Sequence, residues 1–323
     1  MSIYSDFQNQ KLSNKSNEID CFRGLMKAMK GIGYVNELHG TKYQVVFDNP
    51  LIPHNKNDIA CELCDLLILV YNKTNARFTF LQNKRKFSKN YIPNTKISLP
   101  LRQRYLLGDF PSIKMKDPSL YIPNDILVNR TLDSIGSLGV FYYEYNTGNI
   151  NMDYSIMNLM NNPNSFNGYD YDKNHSRVFH FNGIVNLITT KANGFQELDA
   201  CGNLIDFEKN LLNMTIGEPL NNGNHPLFDY ILTLIENGIK KDKKDLIENG
   251  IKKDEKDNSE KGLDEIVLEI DNILNDINNI RKEKNIRKDE KYNFSMPSFN
   301  FAIINAKKQL NIFNELKMKN SDM

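Results

Sequence analysis

The sequence predicts a mixed α/β fold: a mixed β-sheet flanked by helices, with a helical segment at the C-terminal end. Three observations carry this. Residues 65–71 and 76–82 are two apolar runs separated by the short polar stretch 72–75, the pattern of a β-hairpin. Ile19, Phe22, Leu25, Met26 and Met29 recur at helical spacing, and residues 138–145 form a third strand-like run.

Taken in order, the first seventeen residues are polar and read as a frayed end. Asn17 and Asp20 offer capping groups to the helix that follows, which Gly31 and Gly33 close. Two β-rich runs, 34–38 and 43–47, lie on either side of a turn at His39 and Gly40, with Pro50 and Pro53 beyond. After the hairpin, residues 102–107 fit a short helix and 125–128 a short apolar segment. The strand at 138–145 ends at Asn146, Thr147 and Gly148. Residues 161–174, rich in Asn, Gly, Asp and Pro, read as a loop, while 178–181 and 183–190 fit strand and helix equally.

The composition changes at residue 234. Residues 234–245 (LIENGIKKDKKD) recur as 246–257 (LIENGIKKDEKD), with only Lys243 becoming Glu255. Two units are too few for a stacked solenoid, and their balanced charge suits a solvated linker or loose helices. The expected division is a main domain over 1–233, with its recognition elements in the second half, a charged repeat linker over 234–262, and a helical segment over 263–323. In that last segment Ile266, Ile270, Ile273, Ile277 and Ile280 form the seam of one amphipathic helix, which packs on the body or on a partner copy. Pro297 breaks the pattern, and residues 301–316 read as a final helix.

The chain has 323 residues, 40% of them hydrophobic, enough for a sizeable core. Lys plus Arg number 41 against 40 Asp plus Glu, so no global field draws the molecule to polyanions and any nucleic-acid contact must be a local patch. No basic stretch followed by an apolar run opens the sequence, and no window approaches the roughly 18 apolar residues of a membrane span. The expected location is the cytoplasm, away from membranes. Four cysteines, Cys21, Cys61, Cys64 and Cys201, are too few for a disulfide framework in a chain of this size and fit a reducing compartment.

The chemistry concentrates at the hairpin. Asp65 opens its first strand, and Gln82 and Lys84 close the second on one face, since residues two apart project the same way. Asp65, Gln82 and Lys84 then converge at one end of the sheet, where a slip of one residue would turn the pair away. Hydrolysis of a phosphodiester with a hard metal requires oxygen ligands for Mg²⁺ and a group that orients the attacking water.

The order Glu62, Asp65, Gln82, Lys84, with the apolar runs between, resembles the PD-(D/E)XK nuclease superfamily and within it the type II restriction endonucleases. The match spans residues 62–85, and the helix over 19–30 sits where such a fold places its first helix. The resemblance implies a restriction-endonuclease-like core, Mg²⁺ as cofactor, and double-stranded DNA as substrate, commonly cut by a homodimer. It implies Asp65 as principal metal ligand, Gln82 as second ligand, and Lys84 as the group that orients water or stabilises developing negative charge. Gln82 departs from the usual acidic residue and withholds one unit of ligand charge, which Glu62 could restore. Arg85, Lys86 and Lys89 follow as candidate phosphate contacts, in a run that would serve equally as solvated surface. The alternative from another class is a non-catalytic nucleic-acid- or partner-binding protein that keeps the fold.

Other motifs read as structural. Cys61 and Cys64 form a CxxC without a second pair at zinc-finger spacing. His175 and His180 lack the spacing and Glu of a zinc-protease helix, and Gly136 and Gly139 lack the Lys-Ser/Thr ending of a phosphate loop. Phe141, Tyr142, Tyr143 and Tyr145 alternate as strand residues do, half of them toward a core.

Overall fold

A computed structural model describes residues 2–37, 43–47, 59–73, 75–86, 96–160, 176–180, 188–190, 196–198, 202–220, 225–249, 263–289, 296–307 and 309. Helices α1 (Ile3–Gln8) and α2 (Glu18–Lys30) lead into β1 (Gly33–Asn36), β2 (Gln44–Phe47), β3 (Ile59–Glu62), β4 (Leu66–Tyr71), β5 (Ala76–Lys86) and β6 (Lys96–Pro100). Helix α3 (Leu101–Gly108) and β7 (Ile113–Met115) precede the long pair β8 (Gly136–Glu144) and β9 (Asn149–Ile156). Then come β10 (Ser176–His180), β11 (Ile188–Thr190), β12 (Gln196–Leu198), β13 (Gly202–Asn203), α4 (Leu204–Leu212), β14 (Glu218–Pro219), α5 (His225–Asn249), α6 (Leu263–Glu283) and β15 (Phe301–Asn305).

The fold is mixed α/β. The main sheet has the order β1-β15-β4-β5-β8-β9-β13, with β14 beside β5. β15 runs parallel to β4 and β5 parallel to β8, and the other pairs are antiparallel. β3-β2-β7 form a separate three-stranded sheet. All six residues of β4 are buried, which explains why its sequence is apolar without alternation: both faces of the sheet are covered. Leu66, Ile68, Val70 and Leu81 face one core with α1, α2 and α4. Leu67, Leu69, Phe78 and Phe80 face the other, with α3, α5, α6 and the smaller sheet.

Most expected elements form: the helix capped by Asn17 and Asp20, the hairpin, the helix near 102–107, and the strand at 138–145 with its turn closed at Gly148. The runs near 34–38 and 43–47 are strands too, but β1 joins the main sheet and β2 the smaller one, so they are not partners. The turn at His39 and Gly40 and the loop at 161–174 lie outside the described residues.

Three expectations are corrected. The N-terminal residues are not frayed: Ile3 and Phe7, one helical turn apart in α1, are buried, and Phe7 stacks on Phe141 with ring centroids 5.8 Å apart. Residues 301–305 are not helical. Their apolar run is a strand buried between β1 and β4, and buried strands and buried helix segments look alike by periodicity. The main domain does not end at 233, because α5 runs unbroken across that position and buries Ile235 and Ile239 in the same core as Phe78 and Phe80. Ile270, Ile277 and Ile280 of the isoleucine seam are buried in that core as well.

Antiparallel α5 and α6 are locked by buried charge. Arg281, 7% exposed, reaches Asp229 at 3.2 Å, Glu236 at 2.9 Å and Thr233 Oγ1 at 2.7 Å. Lys288 adds a bond to Glu236, and the Asp289 amide donates to Asp229. Removing one partner from such a cluster strands the others in a low-dielectric setting. Arg281→Ala is therefore expected to destabilise the fold by about 3–5 kcal/mol, read as a lower urea midpoint in equilibrium unfolding.

Candidate functional site

The hairpin register builds the site. Asn72 donates its amide to the Asn75 carbonyl and accepts from the Asn75 amide through Oδ1, which closes the turn. From there Leu66 pairs with Leu81, so Asp65 falls beside Gln82, as the same-face reading required. The Asp65 amide donates to the Leu81 carbonyl at 3.0 Å. Asp65 Oδ2 accepts from Gln82 Nε2 at 2.5 Å and from the Asn83 amide at 2.6 Å.

Strand β5 outruns β4. Residues 83–86 still pair with β8, but past Asp65 no strand among the described residues lies beside their other edge. Alternate amides on that edge point outward, and side chains satisfy them: Asn83 N–H bonds Asp65, and Arg85 N–H bonds Glu18 Oε2 at 3.0 Å. Two carboxylates thus line one edge, held by amides about 7 Å apart along the strand. Lys84 Nζ lies 3.4 Å from Glu18 Oε1.

Glu18 was not among the expected site residues. It opens α2, where Asn17 accepts from the Asp20 amide and Asp20 from the Asn17 amide. An acidic residue in a first helical turn is accounted for by the helix dipole alone, so nothing in the sequence marked it for the β5 edge. Asn300, just before β15, was also missed. Its Nδ2 donates to the Asp65 carbonyl at 3.0 Å and steadies the strand start.

Glu62 ends β3 opposite Gln44 in the smaller sheet, near the Cys61 thiol, whose pKa it raises while Lys84 lowers it. Arg85 is 8% exposed, on the face opposite Gln82 and Lys84, with its guanidinium toward the carbonyls of Ser16, Lys86 and Phe141. It braces the sheet and does not present a phosphate contact, because odd-numbered positions of β5 turn toward α2. Lys86 is half-buried, and Lys89 lies outside the described residues.

Gln82 is 2% exposed, and with its amide nitrogen given to Asp65 its Oε1 is buried without a hydrogen-bond partner. Leaving such an oxygen unsatisfied costs about 1–3 kcal/mol. Turning the amide over would set Oε1 against the Asp65 carboxylate, so the orientation is dictated by charge. Carboxylate and amide carbonyl oxygens are both donors that Mg²⁺ takes, and here the Gln82 nitrogen rather than Oε1 faces Asp65. Among the described residues no group of three His, Cys, Asp or Glu is placed to hold a metal. A cleft of about 410 Å³ opens elsewhere, between α6 and the β1 end of the sheet.

No family model, curated protein or solved structure matches the chain.

Cys61 and Cys64 are buried and form no disulfide among the described residues. Burial pushes Cys61 up to about 12, the nearby Glu62 charge adding to it and Arg102 and Lys84 opposing. Cys61 is 2% exposed and its thiol stays protonated, so alkylation is expected to be no faster than unfolding. Mass mapping of iodoacetamide adducts against the unfolding rate checks this.

Proposed function

We propose that the chain is a Mg²⁺-dependent DNA endonuclease of the PD-(D/E)XK type with a restriction-endonuclease-like core, acting as a cytoplasmic, sequence-specific type II restriction enzyme. The observation that supports this reading is the register that sets Asp65 beside Gln82, with Lys84 two residues on along the same face of β5 and the Gln82 carbonyl oxygen buried and unsatisfied. Asp65 and Gln82 Oε1 would hold Mg²⁺, which would supply Lewis-acid activation of the scissile phosphate and of water. Lys84 orients the attacking water and offsets charge developing on the phosphate. Glu18 is a positioning residue that holds the Lys84 ammonium beside the strand edge. Cutting both strands of a palindrome calls for two copies related by a two-fold axis. Their contact would use a surface other than the isoleucine seam, three of whose members are buried in their own chain.

One observation favours the second reading, a binding protein of nuclease type that does not cut. The Gln82 amide already donates to Asp65 and so supports the carboxylate without a cation.

Cleavage of unmethylated plasmid and phage DNA with Mg²⁺ decides between them. The expected result is discrete bands, abolished by EDTA and reduced about 10²–10³-fold or more by Asp65→Ala and by Lys84→Ala. Gln82→Glu restores the missing charge and is expected to lower the Mg²⁺ concentration needed for half-maximal cutting. DNA binding that is unaffected by EDTA, with no cleavage of any substrate, would establish the binding protein instead.

A further inference from the structure

Buried polar atoms without a hydrogen-bond partner are few in folded proteins, and several on one wall mark a place for a polar ligand. Gln82 Oε1 is one such atom, and two more stand together in the first turn of α3: Arg102 Nε and Gln103 Oε1. α3 lies over the sheet face that carries Gln82 and Lys84. Those two residues pair with Leu138 and Val140 of β8, which are buried in one core with Leu101, Leu106 and Leu107 of α3. At Gly136 of the same strand a Cβ would come within 2.0 Å of the Leu107 carbonyl oxygen, so the helix backbone rests directly on β8.

Arg102 is tied to this wall by one bond, from Nη1 to the Ala60 carbonyl at 2.9 Å. Ala60 precedes Cys61 in β3, and the Cys61 thiol lies within electrostatic reach of both Arg102 and Lys84. Two cations therefore approach the same short stretch of chain, just before Asp65. Arg102 is half-buried, yet among the described residues it has no carboxylate partner. Arg104, in the same turn, is occupied by Asp109 and by the carbonyls of Met160 and Asn158. A cation in a first helical turn also opposes the helix dipole, and α3 has no acidic residue or side-chain cap there to offset it. A guanidinium anchored through Nη1 keeps its Nε–Nη2 edge, whose two parallel N–H groups match two oxygens of a phosphate.

We propose that Arg102 binds a backbone phosphate of duplex DNA beside Lys84, with its Nε–Nη2 edge turned to two phosphate oxygens. The assignment rests on the reading of the chain as a DNA-acting protein, and it holds for a cutter and for a non-cutting binder alike. It gives the site a phosphate contact that Arg85 does not supply, since the Arg85 guanidinium is directed to the carbonyls of Ser16, Lys86 and Phe141. Arg102 Nε is sealed from water in the free protein, so the guanidinium must pivot about the Ala60 contact to meet the phosphate.

Phosphate contacts are independent of sequence, so binding of any labelled duplex, read by fluorescence anisotropy in EDTA over a range of salt, reports them. Arg102→Gln removes the charge but keeps an amide able to donate to the Ala60 carbonyl, and Arg102→Lys keeps the charge without the fork. The Gln form is expected to bind about 10–100-fold more weakly than the parent at low salt, with the slope of log K against log [salt] shallower by about one. The Lys form is expected to keep the parent slope and to lose part of the affinity. Both are expected to melt within about 3 °C of the parent. Parent affinity and slope in the Gln form would overturn the assignment while leaving the DNA reading intact, and a lowered melting temperature would then make Arg102 a brace for β3. Stabilisation of the parent but not the Gln form by inorganic phosphate at matched ionic strength, with no duplex bound, would move the ligand to a free phosphate and overturn it as well. A parent that binds neither would overturn the assignment together with the DNA reading, so the parent chain alone tells the two failures apart.

Discussion

The register of the β4–β5 hairpin is the constraint on which the rest of the structure depends. Side chains alternate across a strand, so the pairing of Leu66 with Leu81 sends Leu66, Ile68 and Val70 to one core and Leu67, Leu69 and Phe80 to the other. Both cores are filled, by α1, α2 and α4 on one side and by α3, α5 and α6 on the other. A one-residue slip would leave neither set of helices a matching surface. The same register sets Asp65 beside Gln82, so core and candidate site are specified by one pairing.

The site arises where that pairing stops. A sheet edge carries backbone amides that need acceptors, and β5 continues past the start of β4. Asp65 and Glu18 serve as those acceptors at Asn83 and Arg85. A local demand for hydrogen bonding thereby places Glu18 beside Lys84 and Asp65 against the Gln82 amide nitrogen. The arrangement needs no exceptional backbone conformation, only strands of unequal length and a helix start in reach of the gap.

The C-terminal third completes the body. β15 lies between β1 and β4 and joins β1 to the main sheet. Asn300 connects this strand to the candidate site through the Asp65 carbonyl. Arg281, Asp229 and Glu236 join α5 to α6 by buried charge that only their mutual pairing makes tolerable. The charged surface of the repeat concealed this role: within one unit, Lys240, Lys241 and Lys244 read as solvated while Ile235 and Ile239 are core.

Local patterns sufficed wherever a signal was carried by neighbours in the chain. The hairpin, the capped helix at Glu18–Lys30, the strand at Gly136–Glu144 and the same-face relation of Asp65, Gln82 and Lys84 follow from periodicity, turn residues and the two-residue repeat of a strand. The tertiary structure decided what depends on distant partners. Glu18 serves β5 from the start of a helix, Arg85 turns inward by the parity of its strand, and residues 301–305 become a strand because β1 and β4 offer their edges there. A capping carboxylate, a basic residue after a motif and a short apolar run each have several local readings of similar energy. Which one prevails is set by hydrogen-bond partners and buried surface that only the folded chain brings together.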